Sequence, residues 1–330
     1  MYDVTTFGSA TLDVFLRSKE LEVDSHSGVK DICVRYGAKL EVDEIFFEIG
    51  GGATNAAVTF AREGLNTVCI AQIGADYPGE KILTDLRNEG ISTDLIDINK
   101  QINTDYSTVL WAGDGGRTVL IYRGETRLEV QGVKWEQLQC NWFYIGSLEG
   151  NIEIVERISG YCDTTILENG IAWNPGKREL EQREKVLALL PKITLLNVNR
   201  EEMQQLLVIS DQQSEINEIL QKAQELPCKY IAITDDLRGS YFWDRDKKQW
   251  WHAGIFEEMP RYETTGAGDA YGSGLVTGLI KGLDIKECLF LAAANASSVV
   301  SKVGAKKGIL YVDDVGKWKD KRIDVTEIYL

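Results

Sequence analysis

The chain has 330 residues, 44% of them hydrophobic, enough to bury a large core in one elaborate or two modest domains, which excludes a mainly disordered protein. Its 36 Lys and Arg against 51 Asp and Glu give a formal net charge of −15, which repels phosphate backbones and excludes nucleic acid as an expected partner. The 2 histidines, His26 and His252, have no sequence neighbours that suggest a triad or a zinc cluster, and the 6 cysteines form no C-x-x-C pair and read as reduced thiols.

The N-terminal stretch carries Asp3 where a signal peptide needs a basic region, and no apolar run approaches the roughly 20 residues that cross a bilayer. The expectation is a cytoplasmic protein with no membrane partner. Val4 to Gly8 reads as a short buried strand ending in small residues. Between Val14 and Ile49 the pattern changes to short alternating segments, Asp31–Tyr36 and Glu44–Glu48 among them, which predict strands of a small sheet. Ser107–Ala112 and Arg117–Tyr122 flank Gly113-Asp114-Gly115-Gly116, a hairpin signal. These two separated stretches are expected to build one β accessory.

The rest alternates strand-like and helix-like text. Val68–Gly74 leads to a helix over Glu80–Asn88, Trp142–Gly146 to Ile152–Ser159, and Ile193–Asn197 to Glu201–Val208; Tyr230–Thr234 is another continuous apolar run. Such runs suit parallel strands covered on both faces, so the prediction is an α/β fold with a doubly wound, mostly parallel sheet and helices on both faces.

Two glycine-rich constellations carry the chemistry. Gly50-Gly51-Gly52-Ala53-Thr54-Asn55 lets backbone approach a ligand without Cβ obstruction, and Asn55 can present an amide to a polyol. The same residues also fit a strand-to-helix turn with a satisfied Asn. Later, Thr265-Gly266-Ala267-Gly268-Asp269 opens a helix that continues through the apolar stretch Leu275–Leu283. A turn of this kind points backbone N–H groups outward, where the helix dipole helps them hold an anionic phosphoryl group. Asp269 then stands where it can accept a hydroxyl proton, or it is simply a first-turn acid favoured by the dipole. Neither a Walker A spacing nor G-x-G-x-x-G occurs, because position 271 is Tyr and the glycine arrives at 272.

Gly50-Gly51-x-x-x-Asn55 early and Thr265-Gly266-Ala267-Gly268-Asp269 late resemble the two signatures of the PfkB/ribokinase family of carbohydrate and nucleoside kinases. Similar elements run through the chain: Gly8 to Asp13, Gly74–Gly79, Tyr122-Arg123-Gly124, Asn174-Pro175-Gly176, and Asn199-Arg200-Glu201-Glu202, which is similar to the family's Asn-x-x-Glu element. The resemblance implies a ribokinase-like fold in which 13–49 and 102–126 form a β lid inserted into a core of 1–12, 50–101 and 127–330. It implies ATP-dependent phosphorylation of a sugar hydroxyl, with Asp269 as base and the amides of Gly266, Ala267 and Gly268 as anion hole.

In the same way it assigns Asp13, Gly51, Gly52, Asn55 and Glu149 to the acceptor; Arg123 is a further candidate there on the chemistry of its own side chain. Asn199, Thr234, Gly239 and Asn295 are assigned to the nucleotide, and Glu202 to Mg²⁺ through water. Asp13 and Glu202 also read as a turn cap and a solvated helix acid. Arg117 and Arg123 are open between recognition of a carboxylate and plain solvation; Phe46, Phe47 and Trp111 are open between lid closure, a partner and ordinary packing. The family implies a homodimer through the lid. Three positions depart from its pattern: Glu263 stands for the usual Asp, Asp236 for a frequent Gly, and Gly52 where ribokinases often carry Lys. Rival readings are a nucleoside kinase, a non-catalytic sugar or nucleotide sensor, and an NAD-dependent oxidoreductase.

Overall fold

The structure is a computed structural model that describes residues 1–26, 29–112, 116–164, 170–209 and 214–330. Gly113, Asp114 and Gly115 of the expected hairpin turn lie outside the described residues.

The apolar runs become strands whose alternate residues enter different cores. Phe143 and Ile145 face one side of the central sheet and Tyr144 the other; Leu196 and Val198 oppose Leu195, and Ile231 and Ile233 oppose Ala232. With both faces buried, neither can be polar, which is why these segments show no clean alternation. Helices Ile152–Thr164, Arg183–Leu189, Arg200–Leu207 and Ile216–Ala223 cover the first face. Gly52–Arg62, Ala267–Ile280 and Ile285–Val300 cover the second.

Among the described residues the central sheet has 9 strands. Six are parallel, in the spatial order Thr67–Ile70, Tyr2–Phe7, Cys140–Ile145, Gly170–Trp173, Leu195–Asn199, Tyr230–Thr234. Ser240–Asp244, Gln249–Ala253 and Val325–Ile328 extend it antiparallel, an edge that the sequence pattern did not reveal. The strand order reverses around Tyr2–Phe7, which has later strands on both sides. A ligand crevice is expected outside the carboxyl ends at such a reversal.

A second sheet of 4 strands stands apart, in the order Arg117–Tyr122, Asp105–Trp111, Thr11–Arg17, Glu44–Gly50. It unites the two separated stretches, with Thr11–Arg17 running parallel to Asp105–Trp111 and the other pairs antiparallel. Asp31–Tyr36 does not join it. Val29–Cys33 instead pairs with Glu22–His26 as an isolated ribbon, and Asp24, Ser25, Lys30, Asp31 and Cys33 are all exposed. With polar groups on both sides the ribbon has no apolar face with which to extend a sheet. No helix among the described residues is long and apolar enough to cross a membrane.

Candidate active site

Strands of the central sheet end at Phe7, Ile145, Asn199 and Thr234, and the glycine-rich turns gather at that edge. Gly51 caps the helix Gly52–Arg62 with φ 96°, and a Cβ there would lie 2.4 Å from the Ser9 carbonyl oxygen, so only glycine fits. Gly266 caps the helix Ala267–Ile280 with φ 80°, where a Cβ would meet the Ala305 side chain at 2.6 Å. No side chain caps this second helix. The Ala267 N–H donates to the Thr264 carbonyl at 3.2 Å, closing the turn, so this amide is engaged within the loop. Gly266 and Gly268 have no backbone acceptor for their N–H groups among the described residues.

Asp269 lies in the first turn of that helix, half-buried, and its Oδ1 is 3.5 Å from where a Cβ on Gly52 would sit. The two glycine constellations, more than two hundred residues apart in the chain, therefore meet face to face. Asn55 Nδ2 donates to Asp269 Oδ2 at 2.8 Å, and Lys306 Nζ donates to Asn55 Oδ1 at 2.5 Å and to the Ile49 carbonyl. Burial pushes the Asp269 carboxyl above its ordinary value, opposed by the Asn55 hydrogen bond and the Lys306 charge. Burial likewise pulls Lys306 down to about 8, against Asp13, Glu48, Asp269 and Cys69, which raise it. Asn55 thus links a lysine to an aspartate, with one of its two Nδ2 protons engaged.

The four-stranded sheet covers this edge. Asp13 Oδ1 accepts from Ser107 Oγ at 2.6 Å, and the strand pairing puts Asp13, Ser107 and Glu48 on one face. Three cations nearby are tied. Arg123 pairs with buried Asp105 at 3.1 Å, Arg117 with buried Glu263 at 3.1 Å, and Lys307 with Glu48 at 2.9 Å. Glu149, expected at the acceptor, holds Arg178 at 2.9 Å on a loop secured by fully buried Glu179, which accepts from the N–H groups of Leu148 and Gly150.

On the other side of Gly268 lies a cavity of about 180 Å³, lined among others by Thr234, Gly239, Ile255, Ala267, Gly268 and Ala296. Asp236, at the position of the frequent glycine, takes the left-handed conformation itself with φ 45° and also lines the cavity. Asn295 does not reach it. This residue is 1% exposed, donates to the Ala270 carbonyl at 2.9 Å and to Thr59 Oγ1 at 3.2 Å, and accepts from the Leu310 N–H at 3.0 Å. On a buried helix its neighbours Ala296 and Ser297 face the cavity and Asn295 faces the opposite way, tying three segments together. Asn199 and Glu202 form a capping box on the helix Arg200–Leu207, the Asn199 side chain accepting from the Glu202 N–H at 2.9 Å and Glu202 Oε2 from the Asn199 N–H at 2.8 Å. Burial raises the Glu202 carboxyl, with Glu201 and Asp269 adding to the rise and the Asn199 N–H opposing it.

Sequence reasoning missed Lys306, because a lysine beside Lys307 carries no motif; its role lies in contacts with Ile49 and Asn55. It also left the displaced glycine at 272 unexplained. A Cβ there would lie 2.5 Å from Asn197 Nδ2 and 2.7 Å from the Tyr144 hydroxyl, so Gly272 serves helix packing on the sheet.

The model of the pfkB family carbohydrate kinases matches residues 1–310. A nucleoside kinase of Methanocaldococcus jannaschii is 23% identical over 270 residues, covering 81% of this chain and 83% of its own length. Among solved structures, the ribokinase of Arabidopsis thaliana complexed with ribose and ATP superposes with a TM-score of 0.75 at 19% identity, covering 96% of this chain and 98% of that one. The adenosine kinase of Sinorhizobium meliloti gives 0.77 at 19% identity, covering 96% and 99%. With its fold, its paired glycine turns and this match over nearly its whole length, the chain belongs to the pfkB family of carbohydrate kinases, phosphotransferases that act on hydroxyl groups.

Proposed function

We propose that the protein transfers the γ-phosphoryl group of ATP to a hydroxyl of a small uncharged carbohydrate or nucleoside. In this reading Asp269 accepts the hydroxyl proton, and the Gly266 and Gly268 amides, with the helix dipole behind them, stabilise the transferring group. The observation that carries it is the position of Asp269 at an uncapped helix start, between Gly52 on one side and the cavity that ends on Ala267 and Gly268 on the other. The cavity would take the nucleoside part of ATP, bordered by Thr234 and Gly239, and Asn199 would lie toward its phosphates. Phosphoryl transfer depends on positioning and charge neutralisation more than on covalent chemistry, which suits a site with one acid and a turn of bare amides.

The acceptor would sit against Gly51 and Gly52, beneath the four-stranded sheet, where Asp13 Oδ2 can accept from a hydroxyl. The sheet would act as a lid that keeps water from ATP. With Arg117, Arg123, Arg178 and Lys307 already ion-paired, the chamber favours a neutral polyol over an acidic sugar. The opposite face of the sheet leaves Ile45 and Phe47 exposed on one edge strand and Leu120 and Tyr122 on the other, which supports a homodimer formed through the lid.

Mg²⁺ is the ion such a reaction implies. Among the described residues no cluster of three or more His, Cys, Asp and Glu side chains could hold a metal, and Glu202 offers one carboxylate with Oε2 already engaged. That donor set fits a largely hydrated ion carried by the nucleotide phosphates and reached by Glu202 through water. Bound there, Mg²⁺ would neutralise charge on the phosphates.

A coupled ADP-release screen with ATP and Mg²⁺ over aldoses, ketoses, keto-deoxy acids and nucleosides tests the reading. Turnover with a neutral polyol or nucleoside is the expected result, and ADP release with none of them overturns it.

A further inference from the structure

We infer that Lys306 is a positioning residue for phosphoryl transfer: its buried ammonium fixes the Asn55 amide so that Asn55 donates to Asp269 and holds that carboxylate ionised and aimed. The inference rests on the reading of Asp269 as the base. An ammonium has donors only, so it can meet only Oδ1 of the Asn55 amide. Once Oδ1 is taken at 2.5 Å, Nδ2 must point away from the lysine, and it meets Asp269 Oδ2 at 2.8 Å. Asn55 is 4% exposed and Lys306 6%, so water does not compete for either end.

A lysine buried to this degree is costly to keep, and an ordinary structural one would pair directly with a carboxylate. Among the described residues Lys306 has no ion-pair partner within 4.0 Å. Its charge is instead felt at longer range by Asp13 and Glu48 of the four-stranded sheet, by Asp269 and by the Cys69 thiol. The lysine thus stands behind the base, one amide removed. Its backbone carbonyl accepts from Arg62 Nη1 at 2.9 Å, which anchors the segment independently of the side chain.

The test is the pH profile of kcat for Lys306→Met, Lys306→Arg and Asn55→Ala, with Asp269→Asn in parallel and folding checked by circular dichroism. An opposite charge near a carboxyl lowers its pKa by about one unit or more, so Lys306→Met is expected to move the acid limb up by about one pH unit. It should lower kcat on the acid side of the limb by about tenfold, with KM for ATP within about twofold. Lys306→Arg should keep the limb near its wild-type place. A purely structural lysine would lower the melting temperature without moving the limb, so an unmoved limb in folded Lys306→Met overturns the inference. Should that variant not fold, Asn55→Ala decides instead: a limb raised in the same way supports the link, and one at the wild-type pH overturns it. Turnover surviving in Asp269→Asn removes the base reading and this inference with it, whereas an inactive Asp269→Asn beside an unmoved limb in Lys306→Met removes this inference alone.

Discussion

Arg117 on the four-stranded sheet reaches Glu263 of the core at 3.1 Å, and Glu263 in turn accepts from the Gly304 N–H at 2.9 Å. The contact joins the sheet to the segment immediately before the Gly266 turn. Glu263 is nearly buried while Arg117 is partly exposed, so removing the arginine would leave a buried carboxylate without its cation, an effect that solvent partly screens.

Removing the arginine should therefore loosen the cover over the acceptor. Arg117→Ala is expected to cost about 1 kcal/mol of acceptor binding, a rise of about fivefold in acceptor KM, with KM for ATP little changed. Steady-state kinetics with both substrates varied checks this, and an equal rise in both constants counts against a role specific to the sheet.

Asp269→Asn is expected to lower kcat by at least about 10²-fold, the range for loss of a positioned base. Its stability should not fall. Burial raises the folded-state pKa of Asp269, so its favourable contribution is present at low pH and lost as pH rises through that folded value. Above that value the ionised carboxylate is a burden on the fold that Asn does not carry. A melting temperature at or above that of the wild type is the expected outcome, and a clear drop contradicts it.

Activity and stability should part on the alkaline side. With Lys306 lowered to about 8 in the folded chain, its proton leaves through that pH, and the hold on Asn55 goes with it; kcat is expected to decline there. The unfolded chain keeps the same proton to about the ordinary lysine value of 10.4, so the stability linked to Lys306 rises between the two. Denaturant unfolding of the wild type minus that of Lys306→Met, measured from pH 7 to 10, follows this arm. A flat difference is the contrary result.

Asn295→Ala separates a packing role from a nucleotide contact. Its three hydrogen bonds run to Ala270, Thr59 and Leu310, all inside the protein. Truncation should cost about 1–3 kcal/mol of unfolding free energy by leaving buried groups without partners. KM for ATP should stay within about twofold in the folded variant; a large rise in KM at unchanged stability would restore the nucleotide contact.

How much of this was legible in the sequence depends on the range of the interaction. The Gly266 turn and the Gly51 turn were readable because part of their requirement is local: a positive φ favours glycine whatever stands opposite, although the close approaches of Ala305 and Ser9 come from distant segments. The alternation of buried strands and helices was readable for the same reason, since covering both sheet faces writes continuous apolar runs into the text. Asp31–Tyr36 shows the limit. Its alternation predicts a strand, yet nothing in it says that the strand will run over Val29–Cys33 or which strand it will pair with.

By itself, then, the sequence determined the class of fold, the two turns and the acid at the start of the second helix, all consequences of backbone geometry and burial within a few residues. Only the tertiary structure decided that Asn295 faces inward, that Arg117, Arg123 and Glu149 are held in ion pairs, and that Lys306 stands behind Asn55 and Asp269. Each depends on which distant side chain supplies the opposite charge or the missing hydrogen-bond partner, and chain folding brings those partners together from separations of up to 251 residues.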